Sequence, residues 1–285
     1  MEQEALQEDH WDHVIESRNS LFDLRLREVW HYRDLLFLFV RRDFVTVYKQ
    51  TILGPLWFFI QPILTTITFT IVFGNVAQLS TDGAPKMVFY MAGITLWNYF
   101  SNCLTSVAGV FNANAAIFGK VYFPRLIMPL TIVISNLMKF GVQFLMFIIF
   151  VLFFYFKNEI NPNIYILLTP FVILLMAIIS IGIGLILSSM MTKYKDLNQL
   201  ISFGIQLAMY ATPVIYPSSS VPESFKAVLE LNPLNGLFDY MRYAYLGVGD
   251  FSFNLLIYPS VFGLLIMMLG VVVFNKVQKT FMDTV

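Results

Sequence analysis

Basic side chains gather in one stretch near the N-terminus, residues 27–50, which reads REVWHYRDLLFLFVRRDFVTVYKQ. At helical spacing the charged residues form one narrow stripe, and most other positions are large and apolar. Such a helix lies along a membrane interface rather than crossing it. Its cations Arg41, Arg42 and Lys49 could anchor the helix to anionic headgroups, or could also bind an anionic lipid-linked substrate. A further cation, Lys139, falls inside an apolar run, where it either snorkels to the surface or lies on a substrate path.

Few residues suit covalent or metal chemistry. The single cysteine, Cys103, lies in an apolar run, and the three histidines all precede the apolar runs: His10, His13 and His31. The sequence contains no visible Ser/His/Asp arrangement and no Cys/His cluster with metal-ligand spacing. We therefore expect neither a catalytic site nor a metal site in this chain.

The dipeptide Gly119-Lys120 is not part of a phosphate-binding loop. Asn114 stands where such a loop needs glycine, and Val121 replaces the Ser or Thr that would hold magnesium. We expect this chain to bind no cofactor of its own, so any ATP and Mg²⁺ must be bound by another subunit.

The composition indicates a membrane protein. Of 285 residues, 58% are hydrophobic and only 13% are charged, against about 25% charged in soluble domains. The mean hydropathy is +0.70. The net charge of zero argues against a nucleic-acid partner.

Six apolar runs are long enough to cross a membrane, which predicts an all-α, polytopic protein. A cytoplasmic tail at 1–26 and the interface helix at 27–50 precede a membrane domain at 51–285. The predicted spans are 54–77, 88–111, 133–156, 166–190, 198–215 and 254–275. Within the fourth span, Ser180, Gly184 and Ser188 share one face and predict close helix packing.

Charge distribution predicts the orientation of these spans. The segments expected in the cytoplasm hold most basic residues: Arg41, Arg42, Lys49, Lys120, Arg125, Lys193, Lys195, Lys276 and Lys279. Both termini are then cytoplasmic. The outer segment 216–250 carries too many charges to cross, so we expect one or two short gate helices there that dip into the outer leaflet, are broken at Pro233 and Gly236 and have solvated acidic residues.

Four stretches, in order, resemble the membrane subunits of type-2 ABC exporters that move polysaccharides, namely the O-antigen, capsule and teichoic acid permeases. They are YRDLLFLFVRRDF with YKQTILGPLWFFIQP, then IFGKVYFPRLIMPL, then YKDLNQLISFGIQLAMYATPVIYP, then LNPLNGLFDYMR. Together they cover most of residues 30–245.

The resemblance implies an assembly in a bacterial inner membrane. Two copies of this chain would form the channel, and two copies of a separate ATP-binding subunit, which holds ATP and Mg²⁺, would sit beneath. A short coupling helix would seat in that subunit through Ala115, Ala116, Ile117, Phe118, Gly119 and Lys120.

The resemblance also implies the cargo, a glycan on a lipid diphosphate, with an O-antigen preferred over a capsule polymer or teichoic acid. Arg41, Arg42 and Lys49 would contact the diphosphate. The sugar-facing aromatic residues would be Trp97, Tyr99, Phe100, Tyr210 and Tyr216.

Two other interpretations stay open at this point. A membrane enzyme of glycan assembly would need acidic groups at a membrane surface, and the only candidates are the outer acids Glu223, Glu230, Asp239 and Asp250. A permease that exports drugs or ions with the same general fold would share the span pattern but carry a different cargo.

Overall fold

The computed structural model describes residues 26–49, 54–194 and 196–280, and over these ranges all regular secondary structure is helical. The all-α prediction is confirmed for this part of the chain. The predicted tail at 1–26 lies outside the described residues except for Leu26. His10, His13 and Lys195 also lie outside them.

The predicted interface helix consists of two helices, α1 (Leu26–His31) and α2 (Arg33–Tyr48), separated at Tyr32. Tyr32 leaves the helical region, with φ −89° and ψ 19°, and this change breaks the single helix expected from the charge stripe. On α2, Leu36 and Val40 are buried, whereas Phe37 and Leu38 are exposed. The helix thus has an apolar face beyond the one that packs on the chain, although its place in a membrane interface stays a prediction.

The remaining α-helices of the described residues differ widely in length. They are α3 (Trp57–Phe69), which continues as a π-helix at Thr70–Val76, α4 (Lys86–Ala108), α5 (Val110–Phe118), α6 (Ile127–Phe156), α7 (Thr169–Met191), α8 (Leu197–Ala211), α9 (Glu223–Glu230), α10 (Asn235–Leu246) and α11 (Asn254–Thr280). Every predicted span overlaps one of these helices.

Four helical stretches in the described residues are long and apolar enough to cross a membrane. They are Trp57–Val76, Ile127–Phe156, Ile164–Met191 and Asn254–Gln278. The two other predicted spans correspond to α4, with 23 residues, and α8, with only 15. The count of six spans therefore stays a prediction.

Helix α7 lies at the centre of the bundle and packs against α11, α4 and α6. Small residues make this packing close: a side chain at Gly182 would meet the backbone nitrogen of Met267 at 2.7 Å, and one at Gly184 would meet Val107 at 2.7 Å. Ser180 and Ser188 are fully buried on the same helix, which confirms the packing role predicted for this face.

The connections fall at two ends of the bundle. We call the end with α5, the α7–α8 turn and the C-terminal part of α11 the α5 end. We call the other end, which holds residues 77–85, 157–163 and the segment from Thr212 through α10, the α9 end.

At the α9 end the two expected short helices are present as α9 and α10, and the expected solvation of the acids holds for Glu223 and Glu230 but is wrong for Asp239 on α10. Ten of the 12 residues of α10 are buried. The break between the two helices includes Pro233, as predicted, but Gly236 lies inside α10. A side chain at Gly236 would stand 2.4 Å from the Leu255 carbonyl oxygen, so this glycine permits close packing on the start of α11 and does not end a helix.

Candidate functional site

The predicted headgroup-binding cations lie along α2. Arg41 and Lys49 are exposed. Arg42 donates to Asp43 with Nη2 to Oδ1 at 2.7 Å, and its guanidinium lies 4.7 Å from the centre of the Phe39 ring. A partly exposed ion pair of this kind contributes about 0–1 kcal/mol, so a phosphate group could displace Asp43 at little cost.

Lys139 lies on α6 near these cations, because α2 packs along α6. The Lys139 ammonium donates to Asn136 Oδ1 at 3.2 Å, and it is close enough to Asp43 for the two charges to interact. The structure therefore brings two of the predicted cations, Arg42 and Lys139, close to the same carboxylate, Asp43, where α2 packs on α6.

The predicted aromatic residues separate into different environments. Trp97 and Tyr210 line one open cleft of about 340 Å³ between α4 and α8. The other lining residues include uncharged hydroxyl and amide side chains: Ser101, Asn102, Thr105, Ser202 and Gln206. Aromatic faces combined with neutral hydrogen-bonding groups suit a sugar, whose rings are apolar on their faces and polar at their edges.

Tyr99 and Phe100 are not among the residues that line this cleft, and Tyr99 lies about 200° around the helix axis from Trp97. Tyr99 is buried within the chain against Phe140, with ring centres 5.1 Å apart. Phe100 lines a second, apolar cleft of about 590 Å³ between α4, α7 and α8. Tyr216 supports the first cleft indirectly, since its hydroxyl donates to the Tyr210 carbonyl oxygen at 3.0 Å.

The predicted coupling segment begins within α5 and continues into the turn that follows. Ala116, Gly119 and Lys120 are exposed, and Ala115 and Ile117 are half-buried. Phe118 is instead buried and packs on Phe111, one heptad earlier on the same face of α5. The exposed surface of α5 and of the turn after it therefore carries small residues and Lys120, while the rings of Phe111 and Phe118 face inward. With so few large side chains, this surface would let another protein approach the backbone of α5.

Sequence reasoning missed the role of Arg242, which it took only as one of the few basic residues of the outer segments. Arg242 is 3% exposed and donates to the carbonyl oxygens of Pro213, Val214 and Tyr216 at 2.5, 3.1 and 3.0 Å. Its guanidinium also lies 4.1 Å from the centre of the Phe89 ring on α4. These contacts hold the extended segment after α8 between α4 and α10. The spacing of an acid and an arginine, Asp239 and Arg242, on one turn of α10 is the only sequence signal that could have indicated it.

A second set of hydrogen bonds extends this anchor. Ser218 Oγ donates to Asp239 at 2.6 Å, and Ser219 Oγ donates to Asp82 Oδ1 at 2.7 Å, which joins the α8–α9 connection to the α3–α4 loop. Burial raises the pKa of the Asp239 carboxyl above its ordinary value, and the Ser218 hydrogen bond and the Arg242 charge oppose this rise. Asp239 is therefore a structural ion-pair partner of Arg242 and not a solvated acid of the outer segment.

The described residues contain no group of three or more His, Cys, Asp or Glu side chains that could hold a metal ion. Cys103 is buried.

Similarity to known proteins indicates the family to which this helical chain belongs. Residues 34–246 match the family described as ABC-2 type transporter. The chain is 29% identical over 252 residues to the O-antigen export system permease protein RfbA of Klebsiella pneumoniae, covering 88% of this chain and 94% of that protein.

Two more distant relatives have related names. The protein of the same name from Myxococcus xanthus is 28% identical over 214 residues, covering 74% of this chain and 80% of that protein. The polysialic acid transport protein KpsM of Escherichia coli is 23% identical over 253 residues, covering 85% and 93%. The family match covers most of the chain, and this chain accordingly belongs to the ABC-2 type transporter family, as a membrane permease of the polysaccharide-export kind.

Proposed function

We propose that this chain is the channel-forming subunit of an ATP-driven exporter that moves a lipid-linked polysaccharide, most closely an O-antigen, from the cytoplasmic to the outer side of a bacterial inner membrane. Two copies of the chain form the channel with two copies of a separate ATP-binding subunit. The observation that supports this proposal most is the α4–α8 cleft, where Trp97 and Tyr210 stand among neutral hydroxyl and amide groups.

In this proposal the α5 end faces the cytoplasm and both termini lie there. Helices α4 and α8 complete six spans. At 1.5 Å per residue the 23 residues of α4 extend about 34 Å, enough to cross. The 15 residues of α8 extend only about 22 Å, and the non-helical segment from Thr212 to Pro217 continues its path through turns and bends.

The cargo would contact two regions. Its charged lipid headgroup would meet Arg41, Arg42, Lys49 and Lys139 at the α2–α6 contact. The glycan would pass the α4–α8 cleft, where the exposed Tyr210 would be the stacking surface and the buried Trp97 forms part of the wall. Phe100, which packs on Trp97, and Tyr216, which hydrogen-bonds to Tyr210, would support them. Helix α5 and the turn after it, through Ala116, Gly119 and Lys120, would receive the ATP-binding subunit.

Deletion of the gene tests the cargo. The exporter account expects lipid-linked polymer to accumulate inside the cell and surface polysaccharide to disappear, with rescue by the native chain. Normal surface polysaccharide with altered drug sensitivity would instead identify a drug permease. The relation to KpsM favours one alternative within the same account, a capsule polymer as cargo. Loss of capsule with normal O-antigen would select it.

A further inference from the structure

A row of five phenylalanine rings crosses the α5 end. In order, the row consists of Phe39 on α2, Phe123 in the turn after α5, Phe118 and Phe111 on α5, and Phe274 on α11. Neighbouring ring centres are 5.9, 5.8, 6.0 and 4.6 Å apart, and the last pair is stacked at 18°. All five rings are at most 8% exposed. We call this set the aromatic row.

Two arginines attach the aromatic row to its surroundings. The Arg42 guanidinium lies over Phe39, and the Arg125 guanidinium lies 5.7 Å from the centre of Phe118. Arg125 also donates to the Gln278 carbonyl oxygen near the end of α11. The row therefore connects the cation-bearing helix α2, the exposed helix α5 and the last helix of the chain.

Phe123 is the link on which this connection depends. Among the ring contacts of the described residues, it alone touches both Phe39 on α2 and Phe118 on α5. It lies in the non-helical turn between α5 and α6, where no backbone helix imposes the contact. A closely packed interior transmits displacement, because a ring cannot move without its neighbours.

We propose that Phe123 is a positioning residue that fixes α2 against α5, so that a displacement of α5 by its docking partner moves the segment of α2 that carries Arg42. The proposal depends on the proposed function in one respect, since that function supplies the partner of α5 and the anionic ligand of α2.

The first test needs neither partner nor substrate. Spin labels on the exposed positions Asp34 and Ala116 of the full chain report the α2–α5 distance. With Phe123→Leu, which keeps an apolar side chain, we expect a broader distance distribution. With Phe153→Leu, which changes an exposed ring on α6, we expect the native distribution. An unchanged distribution in Phe123→Leu would overturn the proposal.

Phe39→Leu protects this test against a folding defect at Phe123, because it removes the same contact from the α2 side. The same broadening is expected there. If both variants fold, the double variant should broaden the distribution no further than either single variant, since each already removes the shared contact. Additive broadening would show that the two rings act separately and would overturn the proposal.

The second test measures coupling in the complex with the ATP-binding subunit. Vesicles with and without undecaprenyl diphosphate give the ratio of stimulated to basal ATPase activity. Phe123→Leu should lower this ratio about fivefold or more, the lower end of typical allosteric coupling, while Phe153→Leu should leave it unchanged. A native ratio in a Phe123→Leu complex would contradict the positioning role. If the native complex itself gives no stimulation, the proposed function fails, and the spin-label distances still decide the proposal on Phe123.

Discussion

Helices α7 and α8 follow one another in the sequence and both read as uncharged spans, yet the fold uses them in opposite ways. Helix α7 contains 14 buried residues, whereas α8 contains none. Three faces of α8 are open: one to the polar cleft against α4, one to the apolar cleft against α7, and one carrying the exposed residues Leu200, Phe203 and Leu207. In this chain, a central scaffold therefore stands beside a helix whose surfaces are available to other molecules.

The difference in burial between α7 and α8 indicates which helix should matter for stability and which for transport. Changes in α7 should affect folding, because 14 of its residues are buried within the chain. Changes in α8 should affect transport, because none of its residues is buried within the chain and its surface is open to other molecules. The C-terminal end of α8 is the exception, since Arg242 holds the segment that follows it.

The largest expected effect on stability comes from a change at Arg242. Arg242→Met should destabilise the protein by about 3–5 kcal/mol, because it removes one partner of a buried ion pair and leaves Asp239 and three carbonyl oxygens without it. Thermal unfolding in detergent measures the loss. Lys226→Met, which breaks the exposed pair with Glu223, is the control and should leave the melting temperature close to the native value, because solvent screens this pair. Equal melting temperatures for the two variants would show that Arg242 does not anchor α8.

A pair of glycines compares the two helices directly. Gly182→Ala on α7 should cost about 1–3 kcal/mol, because the new methyl group would lie 2.7–2.8 Å from the backbone of α11. Gly204→Ala on α8 meets nothing within 4 Å and should be neutral or slightly stabilising through its better helix propensity. Comparable losses in both variants would mean that α8 is packed as tightly as α7.

A change in the α4–α8 cleft should have the smallest effect on stability but should still lower transport. Gln206→Leu removes a neutral hydrogen-bonding group from the α4–α8 cleft, so the unfolding free energy should stay within about 0.5 kcal/mol. Export should fall roughly three- to tenfold, the value of one hydrogen bond. Gln199→Leu, on the same helix but outside the cleft, should leave export at the native rate. If export falls equally in both variants, the cleft is not on the path of the glycan.

Sequence patterns predicted the helices well and their environments poorly. The apolar runs located every long helix, because length and hydropathy are local properties. The prolines after α8 correctly indicated its end, although the helix stops at Ala211, before the predicted 215, since the residue before Pro213 already adopts the extended conformation.

Burial depends on neighbours that the local pattern does not contain. Arg242 read as an outer charge, yet it is enclosed by carbonyl groups from a segment 26–29 residues earlier. Likewise, Trp97, Tyr99 and Phe100 read as one aromatic patch and all three are buried, yet Trp97 borders the α4–α8 cleft, Tyr99 packs on Phe140 and Phe100 borders the apolar cleft. In both cases the tertiary arrangement, and not the residue type, decides the role.

The placement of the turn after α5 tests the whole account most directly. Cys103 is buried and is the only cysteine in the chain, so Lys120→Cys introduces a single accessible thiol. A membrane-impermeant maleimide should label this thiol in inside-out vesicles and not in intact spheroplasts, and the ATP-binding subunit should protect it. Labelling from the outer face would contradict the account, because α5 could then not receive a cytoplasmic ATPase.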